Sequence, residues 1–192
     1  MIRCGLWKVS DGTYGALLKV ALLTTQRIGK VKTMKWSDLK DGEWTIATDK
    51  REKGNAGIIK LPEMVTDIIN QQPHLAGNPY VFAGRGNGPF NALSQRKREL
   101  DKKLPDMRPW VVHDLRRTAR SVLSKAEAGV PPHIAERVLG HIIRGVEGIY
   151  DRHSYGPEKA HALRQLAAIV EKIFNPPPPN GVAIDRKKKR RA

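Results

Sequence analysis

Four side chains with the chemistry to bind and attack a phosphate stand in two short motifs. His113 and Arg116 lie three residues apart in HDLRRTARSVLSKA, a segment of strong helix formers in which this spacing places side chains on one helical face. Downstream, His141 ends a Leu-Gly-His motif, and Tyr150 follows it by nine residues. An imidazole and a guanidinium on one face can converge on a small anion, and a tyrosine can act as a nucleophile. These residue types favour chemistry on a phosphate ester.

A further arginine, Arg27, follows an apolar segment in LLTTQRIGKVKTMKWSDL. Cutting a phosphodiester without a metal requires a nucleophile, compensation for the charge of the phosphate, and an acid for the leaving oxygen. Planar guanidiniums suit the second task because they bind two phosphate oxygens and stay charged, so Arg27 and Arg116 are the predicted clamp. His113 and His141 are predicted to hydrogen-bond the phosphate and to help move the proton of the nucleophile.

Two arginines, two histidines and a tyrosine in this order resemble the catalytic set of the tyrosine recombinases, the phage integrase family. The resemblance extends over roughly residues 6–174. It implies that Tyr150 attacks a DNA phosphate, forms a 3′-phosphotyrosine and releases a 5′-hydroxyl, with no metal and no other cofactor. It also implies a general-acid lysine on a small β-hairpin, for which Lys53 is the prediction and Lys50 the alternative.

Two features keep alternatives open. Tyr155 lies five residues beyond Tyr150 and is the rival nucleophile, although the spacing from His141 favours Tyr150. The family often has Gly-Glu after the first arginine, whereas this chain has Gly29-Lys30, which reverses a charge beside the site. The reversed charge and the short N-terminal segment leave a catalytically inactive, DNA-binding remnant of an integrase as the alternative to an active enzyme.

The remaining tyrosines and histidines are predicted to be structural. Tyr14 and Tyr80 lie near no other motif, which is typical of packing residues. His153 is predicted to support the segment that carries the tyrosine. The lone histidines predicted to be structural are His74, His133 and His161. Cysteines and histidines at the spacing of a zinc finger are absent from the sequence, so no metal site is predicted.

The charge of the chain indicates a polyanionic partner. The net charge is +16 and the isoelectric point is near 10.2. Six positive charges lie in residues 186–191, so the rest of the chain is basic as well. Double-stranded DNA is therefore the predicted partner. Phosphate contacts are predicted for Arg96, Lys97, Arg98 and Arg117, with a plain solvated face as the alternative for the basic helix that carries the first three.

Cysteine usage and hydropathy indicate where the protein acts. Cys4 is the only cysteine, so an intrachain disulfide is impossible and a reducing, cytoplasmic setting is predicted. The resemblance to phage integrases implies that this is the cytoplasm of a bacterium, with the protein associated with the nucleoid. No apolar run approaches the ~18 residues of a membrane span, so no membrane association is predicted.

The elements predicted from periodicity, proline and glycine form a mainly α domain with a small antiparallel β-sheet (α+β). Predicted helices span 13–23, 28–35, 62–69, 91–104, 113–126, 131–139 and 157–174, and predicted strands span 44–47 and 57–61. The resemblance implies the catalytic-domain fold of the tyrosine recombinases, a DNA breaking-rejoining fold, over residues 1–175. Residues 176–192 are predicted to be a disordered, proline-rich and polybasic tail. The N-terminal DNA-clamping domain usual in the family is predicted to be absent.

The function implied by the resemblance is site-specific DNA recombination, in a prophage or genomic-island integrase that acts as a homotetramer on two duplexes. A type IB topoisomerase shares this chemistry but relaxes DNA without exchanging partners. The short spacing from the Leu-Gly-His motif to Tyr150 favours the recombinase.

Overall fold

The computed structural model describes residues 4–48, 54–141 and 153–176. In these ranges the α-helices are α1 (Cys4–Val9), α2 (Gly12–Thr24), α3 (Ile28–Lys32), α4 (Glu63–Asn70), α5 (Leu93–Lys102), α6 (His113–Leu123), α7 (Pro132–Leu139) and α8 (Gly156–Phe174). The strands are β1 (Leu39–Lys40), β2 (Glu43–Thr45) and β3 (Ile58–Lys60), and 3₁₀ turns span Trp36–Asp38 and Ala126–Ala128. This mainly α arrangement with one small antiparallel sheet confirms the predicted fold class.

Helix α2 forms the centre of the hydrophobic core. From Tyr14 to Thr24 every residue except Lys19 is buried, and Leu17, Val20 and Leu23 expose no surface. The helix packs against α3, α4, α6 and α8. A helix that is apolar on every side is stable only in a protein interior. The end of α2, just before Arg27, is therefore held in place by the surrounding helices.

The small sheet places a hairpin beside the core. Strand β2 pairs antiparallel with both β1 and β3, and Trp44 lies opposite Ile59. These two side chains are buried, whereas Glu43, Thr45 and Lys60 are exposed, as the twofold periodicity of a strand requires. Residues 46–57 connect β2 to β3, and α8 packs on β3.

Helix α8 joins the C-terminal part of the chain to the core. Leu163, Leu166 and Val170 recur at helical spacing and expose no surface. The helix packs against α2, α6, α7 and β3. Trp7 of α1 stacks on Phe174 with ring centroids 4.6 Å apart, so α1, which the sequence did not predict, is joined to the end of α8.

Several element boundaries differ from the predictions for local reasons. Helix α3 ends at Lys32 instead of residue 35, because the Asp38 carboxylate accepts the N–H of Lys35 (2.9 Å) and starts a 3₁₀ turn. Helix α6 ends at Leu123 instead of residue 126, where another 3₁₀ turn begins. Helix α5 spans 93–102 instead of 91–104, and both hairpin strands are shorter than predicted. Strand β1 was missed because two residues show no alternation.

Residues 177–192, which hold nearly all of the predicted tail, lie outside the described residues, and the domain boundaries stay predictions. Of the helices in the three described ranges, none is both long and apolar enough to span a bilayer.

Replacing Leu163 with alanine should destabilise the protein by about 2–5 kcal/mol, because the substitution leaves a cavity where α8 meets the core. Arg164→Ala, at an exposed position of the same helix, is the matched control and should stay within about 0.5 kcal/mol of the wild type. Urea unfolding followed by circular dichroism measures both values. Equal stabilities of the two variants would contradict the packing of α8 described above.

Candidate active site

Arg116 is buried and connects three parts of the chain. Only 4% of its surface is exposed. Its Nη1 donates to the carbonyl oxygen of Thr25 (2.6 Å), and its Nη2 donates to the carbonyl oxygen of Leu139 (2.7 Å). Nη2 also lies 2.9 Å from Nε2 of His141. Since moving the guanidinium would leave buried polar groups unsatisfied, its position is tightly fixed.

The carbonyls that bind Arg116 belong to two helix ends. Helix α2 ends just before Thr25, and α7 ends just before Gly140; both residues have a left-handed backbone, with φ of 62° and 72°. The side-chain amide of Gln26 donates to the carbonyl oxygen of Val138 (2.7 Å) and ties the two ends together. The C-terminal end of a helix carries partial negative charge, so the meeting of two such ends is a favourable place for a cation.

Arg27 brings a second guanidinium to the site. It is exposed and is the N-cap residue of α3. Burial, and next the nearby charge of Arg27, lower the pKa of Arg116 to about 10, and Glu136 opposes this shift. Arg116 therefore stays charged at neutral pH. The charge of Arg27 is therefore close enough to Arg116 to act on it.

His113 is the first residue of α6 and lies among the same charges. Burial lowers its pKa, and the positive charges of Arg116, Arg117 and Arg27 lower it further, whereas Asp114 acts in the opposite direction. The imidazole is therefore mainly neutral at neutral pH. A neutral imidazole can accept a proton, whereas a charged one cannot.

His141 is held between a carboxylate and a guanidinium. Its Nδ1 lies 2.5 Å from Oε2 of Glu136, and Nε of Arg120 donates to Oε1 of Glu136 (2.7 Å). Burial by itself would raise the pKa of Glu136, but hydrogen bonds from Arg120 and His141 lower it overall, so the carboxylate is ionised at neutral pH. The carboxylate can only accept from Nδ1, and Arg116 can only donate to Nε2. A neutral His141 ring must then carry its proton on Nδ1.

A cleft of about 750 Å³ adjoins His141. Its lining includes Asn55, Ala56, Arg137, His141, Ser154 and Lys159. Asn55 and Ala56 in this lining come shortly after residues 49–53, and His141 and Ser154 stand on either side of residues 142–152. The predicted general acid Lys53, its alternative Lys50 and the predicted nucleophile Tyr150 lie in these two segments, outside the described residues.

The other tyrosines have structural surroundings. Tyr14 is buried, and its pKa is raised to about 12 by burial and by the charge of Asp101. The ring of Tyr80 has the Lys35 ammonium 5.9 Å from its centroid. Tyr155 packs against the core and carries the Arg137 guanidinium 4.0 Å above its ring centroid. The burial of Tyr14 and the contacts of Tyr155 are typical of packing residues.

The other histidines make contacts with residues outside the predicted catalytic set. His74 is exposed and stacks on Trp36 with centroids 3.6 Å apart. His153 lies 3.6 Å from the carboxylate of Glu158 and meets the ring of Tyr155 edge-on. His133 and His161 are exposed. Among the described residues, no group of three or more His, Cys, Asp and Glu side chains could hold a metal ion.

Three of the predicted DNA-binding cations are on the surface. Arg98 is exposed, and Arg96 and Arg117 stay more than half exposed. Arg96 pairs with Glu99 (2.7 Å), and Arg117 pairs with Asp114 (2.8 Å). Exposed pairs of this kind are weak, so both guanidiniums remain available to a phosphate.

Lys97, the fourth predicted cation, has different surroundings. Its ammonium pairs with Asp101 at 2.6 Å and lies 4.2 Å from the centroid of the Trp110 ring, with 16% of the side chain exposed. The side chain therefore joins α5 to the loop before α6. Its contacts favour a structural role over a phosphate contact.

Sequence reasoning missed the residues that support the site. Glu136 and His141 are five apart, on opposite sides of a helix end, where no periodic pattern connects them. Gln26 and Lys159 make contacts with residues more than 100 positions away. The only local signal was the glycine at 140, which is typical of a helix C-terminus. Lys30, noted as a departure from the family pattern, donates to the carbonyl oxygen of Ala47 (2.6 Å).

The family of the chain follows from a direct comparison. The model of the phage integrase family matches residues 8–156, which is most of the chain. The chain therefore belongs to the phage integrase family, the tyrosine recombinases, and the resemblance stated from the motifs is confirmed. No curated protein sequence gives a significant match.

Solved structures agree on the fold. The lambda integrase catalytic core superposes with a TM-score of 0.54 at 19% identity, over 71% of this chain and 90% of that one. A lambda integrase dimer bound to a COC′ core site gives 0.55 at 20% identity, over 72% and 53%. A lambda integrase tetramer bound to a Holliday junction gives 0.54 at 20% identity, over 78% and 46%. The present chain thus spans about half the length of the two DNA-bound relatives, and it has the fold of the catalytic core.

Nitrogen NMR of the histidine rings should show His141 as the Nδ1–H tautomer at pH 8, because Glu136 and Arg116 both select it. Glu136→Ala removes one of these two interactions, so the Nε2–H form should gain population. Glu136→Gln keeps an acceptor for Nδ1–H and is the control that should resemble the wild type. A wild-type ring protonated on Nε2 would contradict the arrangement.

Proposed function

We propose that this chain is the catalytic domain of a site-specific DNA recombinase that works through a 3′-phosphotyrosine, of the kind encoded by prophages and genomic islands. The observation that carries the proposal is the buried Arg116, fixed by two helix ends beside His141 and close to the Arg27 guanidinium and the His113 imidazole. These side chains gather positive charge and proton-transfer groups around one place, the end of α7 and the start of α6. A scissile phosphate would bring the opposite charge to this place.

The two arginines stabilise the reacting phosphate. When the phenol oxygen of Tyr150 attacks phosphorus, negative charge grows on the non-bridging oxygens. Guanidiniums held in place beforehand need not reorganise as this charge develops, so they stabilise the transition state more than the ground state. Arg116 has this fixed position, and Arg27 stands at the rim as the exposed member of the pair.

The histidines and a lysine move the protons. A phenol is a poor nucleophile at its usual pKa of about 10, so its proton must pass to a base as it attacks. The neutral His113 is the acceptor suggested by its lowered pKa. The P–O5′ bond then breaks, and Lys53 protonates the departing 5′-oxygen. A 5′-hydroxyl of the partner duplex reverses these steps and releases Tyr150.

The choice of Tyr150 over Tyr155 is supported from two directions. His141 and Ser154, near the two ends of the segment that carries Tyr150, both line the cleft. The ring of Tyr155 is covered by Arg137 and by an edge contact with His153. These contacts are typical of a packing role for the Tyr155 ring.

Double-stranded DNA is the proposed substrate, and a tetramer on two duplexes is the proposed assembly. The net charge of +16 and the exposed Arg96, Arg98 and Arg117 support binding to phosphates. One structural relative is a tetramer bound to a Holliday junction. The chain would use the same assembly for strand exchange.

The first test concerns the nucleophile. Nicked duplexes that trap the wild-type chain covalently are selected from a pool of random sequences, and the DNA-linked peptide is identified by mass spectrometry. Tyr150→Phe should abolish the adduct and leave DNA binding unchanged, whereas Tyr155→Phe, the matched control, should retain it. A peptide modified at Tyr155 would contradict the assignment. Absence of any wild-type adduct would favour the inactive DNA-binding remnant.

The second test concerns the phosphate clamp. Arg27→Ala should lower the single-turnover cleavage rate on the selected duplexes by ~10²-fold or more, as loss of a transition-state donor does in other enzymes. Arg164→Ala removes an exposed arginine of α8 and should leave the rate unchanged. The affinity for DNA should change much less than the rate. A loss of affinity with an unchanged rate at saturating DNA would remove Arg27 from the catalytic set.

A further inference from the structure

The connection between β2 and β3 is fastened at its base, which we define as residues 46–48 and 54–57. The side-chain amide of Asn55 donates to the carbonyl oxygen of Ile46 (2.9 Å) and to the hydroxyl of Thr48 (3.0 Å). Its side-chain oxygen accepts the N–H of Gly57 (2.9 Å). Asn55 therefore joins the two sides of the hairpin base, between which residues 49–53 lie in sequence.

A buried lysine of α8 is attached to the hairpin base. Lys159 is 7% exposed, and its Nζ donates to the carbonyl oxygens of Ala56 (2.7 Å) and Ile58 (3.1 Å). Burial lowers the pKa of this lysine, and the charge of Arg137 adds to the effect. A buried ammonium needs its acceptors more than an exposed one does. The carbonyl oxygens of Ala56 and Ile58 are these acceptors, so Lys159 is bound to the hairpin.

Two more contacts hold the hairpin base against the site. Gly140, the neighbour of His141, approaches the backbone so closely that a Cβ there would lie 2.5 Å from the N of Ala56. On the other side of the hairpin, the ammonium of Lys30 donates to the carbonyl oxygen of Ala47 (2.6 Å). Lys30 and Lys159 thus hold the two sides of the hairpin base from α3 and α8.

We infer that Lys159 is a positioning residue for the hairpin lysine that protonates the leaving oxygen, and that Lys30 supports it from the other side. The inference deepens the proposed function and rests on it for its catalytic consequence. Lys53 precedes the anchored Ala56 by three residues, so the place where its ammonium can act depends on how the hairpin base is held. Neither Lys159 nor Lys30 touches the reacting atoms in this scheme.

The leaving group provides a readout specific to this role. When the P–O5′ bond breaks, the 5′-oxygen takes a proton from the lysine ammonium, because an alkoxide is a poor leaving group. If sulfur replaces this bridging oxygen, the thiolate leaves without a proton, since thiols have a pKa of only about 8.5. A variant whose defect lies in placing the acid is therefore rescued by the 5′-sulfur substrate. A general loss of folding or DNA binding is not rescued.

The experiment compares Lys159→Met with Lys172→Met, an exposed lysine of the same helix that serves as the matched control. In the free protein, hydrogen exchange at the hairpin base should be about 10-fold faster in Lys159→Met and unchanged in the control. On the selected duplexes, cleavage with the 5′-oxygen should fall by ~10²-fold, the usual contribution of a general acid. Cleavage of the 5′-sulfur duplex should match the wild type within about threefold.

Two further variants keep the experiment decisive. Lys53→Ala is the reference for loss of the acid itself and should show the same rescue by sulfur. Lys30→Met changes an exposed side chain, so it tests the anchor even if Lys159→Met does not fold. It should show the same pattern with a smaller loss, because its hydrogen bond to Ala47 is exposed to water.

Each outcome decides between the anchor and the proposed function. The inference is overturned if hydrogen exchange at the hairpin base is unchanged in Lys159→Met. It is also overturned if the 5′-sulfur substrate restores cleavage in Lys53→Ala but not in Lys159→Met. Faster exchange together with a wild-type chain that forms no adduct supports the anchor and overturns the proposed function. Faster exchange in Lys159→Met and Lys30→Met, together with rescue of both variants by the 5′-sulfur substrate, supports the anchor and the proposed function.

Discussion

The buried guanidinium of Arg116 is the interaction on which the rest of the site depends. It fills the place where the ends of α2 and α7 meet, and their carbonyls would otherwise be left without donors. Because a buried charge is costly without partners, the geometry of the three helices and the position of the charge determine one another. The left-handed residues after α2 and α7 turn the chain at this place.

The same constraint brings like charges together. The charge of Arg27 lowers the pKa of Arg116, and both arginines lower the pKa of His113. Such an arrangement costs stability in the free protein, and the buried, hydrogen-bonded Arg116 holds its part of it in place. Functional sites commonly hold groups in unfavourable surroundings that a bound ligand relieves. Here the relieving ligand would be a phosphate.

The sequence predicted the long helices and the motifs of the site, because these depend on residues that are close together in the chain. The types and spacing of His113 and Arg116, and the Leu-Gly-His motif, indicated the site, since helical periodicity alone puts the first pair on one face. Long apolar helices such as α2 and α8 were predicted because their burial patterns repeat. Strand β1 and the helix α1 were missed, since short elements are stabilised by tertiary contacts such as the stacking of Trp7 on Phe174.

By itself, the sequence determined the class of fold, the family and the residue types that could act on a phosphate, because these depend on periodicity and on motifs within a few residues. Only the tertiary structure decided that Arg116 is held by two helix ends, that Glu136 selects the tautomer of His141, and that Lys159 holds the hairpin base. The physical reason is that these contacts join residues across helix ends or between distant segments. For Arg116 and Lys159 the hydrogen-bond acceptors are backbone carbonyls, which every residue carries, so no pattern of side chains indicates them.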